Sequence, residues 1–84
     1  MSDTEFDLLD ELYFVKSFSD LQQNLGWPEE KLKVVLQGLH AKGWLEYYAS
    51  VSKEPLTEIT DFNTAYQKYY YLATKAGLLA HNSK

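Results

Sequence analysis

Apolar residues recur at the spacing of one helix face in the first part of the chain. The pattern predicts a helix over residues 4–14, with Ser2 and Glu5 as a capping box at its start. The residues that mark its apolar face are Phe6, Leu9, Leu12 and Tyr13. A short extended piece over residues 14–18 is expected to follow, because the helical period stops there.

Two further helices are predicted, separated by a tight turn. Ser19 is typical of an N-cap and Gly26 suits the left-handed position that ends a helix, so the second helix is expected over 19–25. Pro28 is favourable at the first position of a third helix, over 28–42. The apolar stripe of this helix consists of Leu32, Val35, Leu36 and Leu39.

Beyond Gly43, which is a natural end for the third helix, the apolar period changes from helical to alternating. Residues 44–50 and 66–73 are rich in tyrosine and predict two strands, which together form an antiparallel hairpin over 44–73. By alternation, the side chains expected to face the core are Leu45, Tyr47, Tyr70 and Leu72, and those expected to face solvent are Tyr48, Tyr69 and Tyr71.

The last stretch, 74–84, is expected to form a short helix capped by Thr74, followed by a frayed tail that contains His81. The hairpin before it carries an outward tyrosine patch beside Trp44, and three interpretations of that patch stay open. It is cross-strand packing, a surface for a dimer or another partner, or a platform for base stacking.

Three sequence runs resemble a known family. Residues 25–32 look like the turn and the opening of the second helix in a helix-turn-helix motif. Residues 36–46 resemble a recognition helix that ends in Leu-x-x-Lys-Gly-aromatic and enters a wing. Residues 69–77 resemble the Tyr-x-Leu-Thr-x-x-Gly return strand of the multiple-antibiotic-resistance and arsenic-repressor type regulators, with Ala73 as a one-residue departure. The resemblance covers residues 5–79.

This resemblance implies an α+β fold, a winged helix-turn-helix with a three-helix core and a small antiparallel β-hairpin wing. The whole chain, 1–84, is expected to form one such domain. The implied function is a DNA-binding module of a transcriptional regulator, with its third helix in the major groove of double-stranded DNA. No cofactor is expected, and a homodimer is expected because one copy with this charge would bind DNA weakly.

The outward face of the third helix, with Lys31 and Lys42 on its flanks, supplies the candidate DNA contacts. Gln37 would pair with adenine and Lys33 with guanine or a phosphate, whereas the apolar members would touch thymine methyl groups. The other lysines would hold phosphates. The full set is Lys31, Lys33, Val34, Gln37, Ala41 and Lys42 on the helix, and Lys53 in the wing. The alternative interpretation is a solvated helix face that binds nothing.

Gly38 interrupts the same helix, where a glycine costs about 1 kcal/mol relative to alanine. Something is therefore expected to pack closely there. The neighbouring helices of the domain are the favoured candidate, and a bound partner is the other.

The charge of the chain weakens the DNA interpretation. The 84 residues carry a formal net charge of −4, and every basic side chain is a lysine, so the commonest bidentate guanine contact is missing. The presumed wing loop, 51–65, sets Lys53 against three acids, Glu54, Glu58 and Asp61. It is also long for a hairpin connection, which indicates either a contact with a protein partner or simple flexibility. The alternative function is therefore a protein-interaction winged helix that acts through its tyrosine-rich wing without binding DNA.

Other function classes find little support in the sequence. The chain has no cysteine, no glycine-rich phosphate loop and no nucleophile motif, so it is not expected to be an enzyme. His40 and His81 are its only histidines and lack ligand spacing, so no metal is expected. The acidic N-terminus does not resemble a secretory signal and no apolar run spans a bilayer, so a cytoplasmic protein without membrane contact is expected.

Overall fold

Helices surround one face of a small antiparallel sheet in the computed structural model, which describes residues 1–49 and 62–83. The α+β class predicted from the sequence is confirmed. In chain order the elements are α1 (Asp3–Glu11), β1 (Lys16–Ser17), α2 (Phe18–Leu25), α3 (Glu29–Ala41), β2 (Leu45–Tyr48), α4 (Phe62–Ala65), a 3-10 turn (Tyr66–Lys68), β3 (Tyr70–Ala73) and α5 (Lys75–Asn82).

The sheet has the strand order β1-β3-β2, with both pairings antiparallel. Strand β3 lies in the centre of the sheet, although it is the last of the three strands in chain order. Lys16 of β1 is opposite Tyr71 on one side, and Tyr47 of β2 is opposite the same tyrosine on the other. This pairing ties the segment between α1 and α2 to the end of the chain.

The N-terminal helix has the predicted capping box, but it starts one residue earlier than predicted and ends three residues earlier. The amide of Glu5 donates to Ser2 Oγ at 3.1 Å, and the amide of Ser2 donates to Glu5 Oε1 at 3.0 Å, so the capping box is confirmed. The helix ends at Glu11 instead of residue 14, because Leu12 takes a non-helical ψ of 20°.

Helix α2 starts one residue before the predicted N-cap. Ser17, not Ser19, is the N-cap, and its Oγ accepts the amide of Asp20 at 3.1 Å. The prediction of Ser19 as the N-cap is therefore wrong by two residues. The start at Ser17 puts Phe18 inside the helix, where its ring is buried at 2% exposure.

Glycines end α2 and α3 as predicted. Gly26 follows α2 at φ 69° and Gly43 follows α3 at φ 75°, both left-handed. The amide of Trp44 donates to the carbonyl of Leu39 at 3.0 Å, and that of Gly43 donates to His40 at 3.0 Å. These two bonds form a Schellman motif, which turns the chain directly from α3 into β2.

The predicted strand over 66–73 is wrong in its first half. Residues 62–68 are helical, as α4 and the 3-10 turn, and the strand begins at Tyr70. Phe62, Ala65 and Tyr66 have helical spacing, and the first two are buried in that conformation. The tyrosine content of this segment therefore reflected aromatic packing and not strand structure. The other strand, predicted over 44–50, is shorter than expected and lies within residues 45–48.

The predicted facing of the second strand is also wrong. Tyr71 is fully buried, whereas Tyr70 and Leu72 are half-buried. Directly opposite residues of an antiparallel pair point to the same face, so the partner of buried Tyr47 must also point inward. That partner is Tyr71, because the register places it there.

The core lies between the three N-terminal helices and the inner face of the sheet. Leu32, Leu36 and Leu39 of the predicted stripe are fully buried, and Val35 packs against them from the edge. Each fully buried leucine stabilises the fold by about 1.5–3 kcal/mol through removal of its surface from water. This stripe fixes which side of α3 is left outside.

The end of the chain is ordered further than predicted. Thr74 caps α5, since its Oγ1 accepts the amide of Gly77 at 3.1 Å. His81 lies inside this helix and is buried, with its ring stacked on Phe6 at 4.1 Å between centroids. The Tyr13 hydroxyl lies 2.9 Å from its Nδ1, so the expectation of a frayed histidine is wrong. In the part of the chain described, none of the helices combines the length and apolar character needed to cross a bilayer.

Candidate nucleic-acid interface

Helix α3 presents a continuous exposed surface opposite its buried leucines. We call this surface the outer face of α3 and define it as Lys31, Val34, Gln37, Gly38 and Ala41, all of which are exposed. Val34 is the large apolar side chain on this surface and is 61% exposed. Four of the seven residues predicted to contact DNA therefore share one accessible surface.

Lys33 departs from the predicted position. Only 15% of its side chain is exposed, because it folds back over the ring of Tyr66 with Nζ at 4.6 Å from the centroid. Its Nζ also lies 3.6 Å from Glu30 Oε2. Lys33 therefore sits on the flank of α3 against the segment before β3, and does not belong to the outer face.

Aromatic rings also contact Lys31 of α3 and Lys42, the C-cap of that helix. Lys31 Nζ lies 4.6 Å from the centroid of the Trp27 ring, and Lys42 Nζ lies 4.8 Å from that of Trp44. Such contacts contribute about 0.5–1 kcal/mol each at exposed sites. Neither contact was predicted, although a tryptophan close to each lysine in the sequence was the available signal.

One carboxylate accompanies Lys42, and another lies at the start of α3. Lys42 Nζ lies 2.5 Å from Glu5 Oε2, and this contact, followed by the bond from the Ser2 amide, lowers the pKa of the Glu5 carboxyl. The hydroxyl of Tyr66 and the amide of Gln67 both donate to Glu29 Oε1, and they lower the pKa of that carboxyl. Both acids are therefore ionised near neutral pH. The charges around α3 balance, with three lysines (Lys31, Lys33, Lys42) beside three acids (Glu5, Glu29, Glu30).

The C-terminal flank of the outer face borders an aromatic cleft. His40 stacks on Tyr47 at 4.1 Å between ring centroids, and these two residues line the cleft with Gln37 and Phe62. Burial lowers the pKa of His40, so its imidazole is neutral at pH 7. This flank therefore adds hydrogen-bonding capacity and an apolar surface, but no positive charge.

The wing residue that was predicted to contact DNA lies outside the part of the chain that the structure describes. Lys53 and the acids Glu54, Glu58 and Asp61 lie in the stretch 50–61, outside the described residues. The charge of the wing loop therefore remains a sequence-based expectation, whereas its predicted extent to residue 65 is wrong, because Phe62–Ala65 form α4.

Gly38 faces open space on the outer face. A Cβ built on this residue has nothing within 4 Å apart from its own helix and immediate neighbours. The expectation that neighbouring helices pack closely there is wrong for the residues that the structure describes. The glycine is thus unexplained by the packing of the described part of the domain.

Comparisons of the chain with models of known families, with curated proteins and with solved structures found no match. The function must therefore be argued from the surface itself. Among residues 1–49 and 62–83, no three histidine or acidic side chains come together as a metal site would require. The outer face of α3 is consequently the surface on which we base a functional proposal.

Proposed function

We propose that this chain is a winged helix domain that binds double-stranded DNA with the outer face of α3. The observation that carries the proposal is the division of α3 into two sides. Leu32, Leu36 and Leu39 are fully buried, whereas the opposite side is exposed along the helix. A helix of this kind, about 12 Å across with its side chains, fits the major groove of B-form DNA.

The order of the elements supports the winged helix assignment. A helix, a short strand, two helices and two further strands follow one another, and β1 pairs with β3. The turn between α2 and α3 is tight, with Gly26 in the left-handed conformation and Pro28 as the N-cap of α3. This arrangement supports α3 as the recognition helix, since α1 and β2 pack behind it.

The outer face offers suitable chemistry for base contacts. Gln37 carries the amide that pairs with adenine in the major groove, and Val34 and Ala41 offer the apolar contacts that a thymine methyl group requires. Lys31, at the N-terminal end, and Lys42, at the C-terminal end, would hold phosphates. Lys33 would contribute less, because its ammonium would first have to leave the ring of Tyr66.

The number of lysines limits the affinity and predicts a shallow salt dependence. Each phosphate contact contributes a slope of about −0.9 to the plot of log affinity against log salt. With two or three such contacts per copy, we expect a slope of about −2 to −3. Two copies on adjacent half-sites would double this value, so the slope also reports whether a homodimer binds.

Lys31→Gln is expected to weaken binding to a mixed-sequence duplex by about tenfold at about 50 mM salt, because one phosphate contact is lost. Fluorescence anisotropy with a labelled duplex measures this effect. Lys75→Gln is the matched control, since Lys75 is an exposed lysine on α5 and the change in charge is the same. Equal losses in the two variants would remove α3 from the interface, and absence of binding by the unaltered protein at this salt concentration would end the DNA proposal.

A protein partner on the same face is the second candidate. The balanced charges around α3 and the 61% exposure of Val34 favour it, since protein interfaces are less cationic than DNA interfaces. A partner bound by the tyrosine-rich wing would have to use other residues than those predicted. Tyr71 is buried, and only half-buried tyrosines such as Tyr48 and Tyr70 remain available on the strands described.

Gly38→Ala is expected to have opposite effects on stability and on binding. Alanine should raise the free energy of unfolding by up to about 1 kcal/mol, because its methyl group meets open space and favours the helix. The same methyl group would stand between α3 and a closely approaching groove, so we expect DNA affinity to fall. Urea unfolding and anisotropy measure the two effects, and an unchanged affinity would show that no ligand approaches Gly38 closely.

A further inference from the structure

Glu5 is shared between the start of α1 and the end of α3. Its Oε1 accepts the amide of Ser2 at 3.0 Å, which completes the capping box. Its Oε2 lies 2.5 Å from Lys42 Nζ. The capping box thus holds the carboxylate in place, and the second oxygen is presented to the lysine.

Lys42 is nevertheless open to other ligands. About half of its side chain is exposed (47%), and its ammonium lies beside the Trp44 ring. It is the C-cap of α3, next to Ala41 of the outer face. An incoming anion can therefore reach the ammonium without unfolding any element.

We propose that the Glu5 carboxylate competes with DNA phosphate for the Lys42 ammonium. The carboxylate pairs with the ammonium in the free protein, and a phosphate oxygen takes its place when DNA binds. The inference rests on the proposed function, since it concerns the regulation of the same interface. A carboxylate and a phosphate both offer charged oxygen acceptors to an ammonium. Exposed ion pairs contribute little net free energy, so this exchange requires only a modest gain on the DNA side.

The exchange has a direct spectroscopic consequence. In the free protein the Lys42 ammonium lowers the pKa of the Glu5 carboxyl. Once Lys42 turns to a phosphate, that contact is lost, and the nearby phosphate charge acts in the opposite direction. The pKa of Glu5 is therefore expected to rise when a short duplex is added, as an NMR titration of its side-chain carboxyl would detect.

The decisive variant is Glu5→Gln. Glutamine keeps the capping box, because its side-chain oxygen still accepts the Ser2 amide, and it removes only the charge that holds Lys42. We expect Glu5→Gln to bind a mixed-sequence duplex about threefold more tightly than the unaltered protein. Asp7→Asn is the matched control, because it removes one acid from an exposed position on the same helix, and its gain is expected to be smaller.

A double-mutant cycle separates this mechanism from a general charge effect. In a Lys42→Gln background, Glu5→Gln is expected to give no more gain than Asp7→Asn. If the unaltered protein binds DNA but Glu5→Gln gains no more than Asp7→Asn, the competitor role is refuted and the proposed function stands. If neither the unaltered protein nor Glu5→Gln binds DNA at about 50 mM salt, the proposed function itself fails.

Discussion

Gly77→Ala is expected to destabilise the domain by about 3 kcal/mol or more, among the largest single effects in this chain. Gly77 is buried in α5, where the helix crosses the start of β2. A Cβ on this residue would lie 2.9 Å from the carbonyl carbon of Trp44 and closer still to the carbonyl oxygen. That carbonyl is fixed, since it accepts the amide of Thr74 at 3.0 Å, so the backbone cannot move aside without losing the bond.

Chemical denaturation of Gly77→Ala and Gly38→Ala together provides the test. Both changes add the same methyl group to a helix. The methyl group at position 77 meets backbone atoms, whereas the one at position 38 meets open space. The free energy of unfolding is expected to fall for Gly77→Ala and to rise for Gly38→Ala. A loss below about 1 kcal/mol at Gly77 would show that α5 does not dock on β2 as closely as described.

Tyr71→Ser is expected to unfold the domain or to cost about 3–5 kcal/mol, the range for removal of a large buried aromatic side chain. The ring of Tyr71 is fully buried and lies edge-on to Tyr47 at 5.4 Å between centroids. Its hydroxyl donates to the carbonyl of Tyr66 at 2.6 Å, and loss of that bond leaves the acceptor without its donor. Burial raises the pKa of Tyr71, so this hydroxyl stays protonated and remains a donor up to strongly alkaline pH.

Two further variants show which property of Tyr71 matters. Tyr71→Phe keeps the ring and loses only the hydrogen bond, so we expect a smaller cost of about 1–3 kcal/mol. Tyr70→Ser removes the adjacent half-buried tyrosine, and thermal unfolding should show a clearly smaller loss than for Tyr71→Ser. Equal losses at positions 70 and 71 would contradict the observed facing of β3.

Local signals in the sequence were sufficient where one residue decides the structure. Gly26 and Gly43 were predicted to end helices and do so at positive φ. The capping box of Ser2 and Glu5 was predicted from spacing alone and forms. In each case the governing interaction joins residues at most five positions apart, so no knowledge of the tertiary structure was needed.

Tertiary contacts decided the features that were predicted wrongly. Ser19 was predicted as the N-cap of α2, but Ser17 takes that position, and the earlier start places the buried Phe18 inside the helix. The facing of β3 depends on its register against β2, which pairs residues 22 or more positions apart along the chain. Tyr71 could not be placed inward without that register, because alternation in a single strand fixes only which residues share a face.

At the candidate interface too, the local helix pattern was predictable from the sequence, whereas the tertiary contacts were not. The leucine stripe of α3 correctly predicted the exposure of Val34, Gln37 and Ala41, whereas Lys31, predicted on the flank, is exposed beside them. It did not predict that Lys33 folds over Tyr66 or that Lys42 meets Glu5, because both contacts cross more than 30 residues of chain. These contacts change the functional account, since charges that looked free in the sequence have partners in the folded domain.

An NMR titration of the isotopically labelled protein with a short mixed-sequence duplex at about 50 mM salt tests the central claim most directly. We expect the largest amide shift changes at Lys31, Val34, Gln37 and Gly38, with little change along α5 around Lys75. Changes centred on α5, or no changes at all, would contradict DNA binding by the outer face of α3.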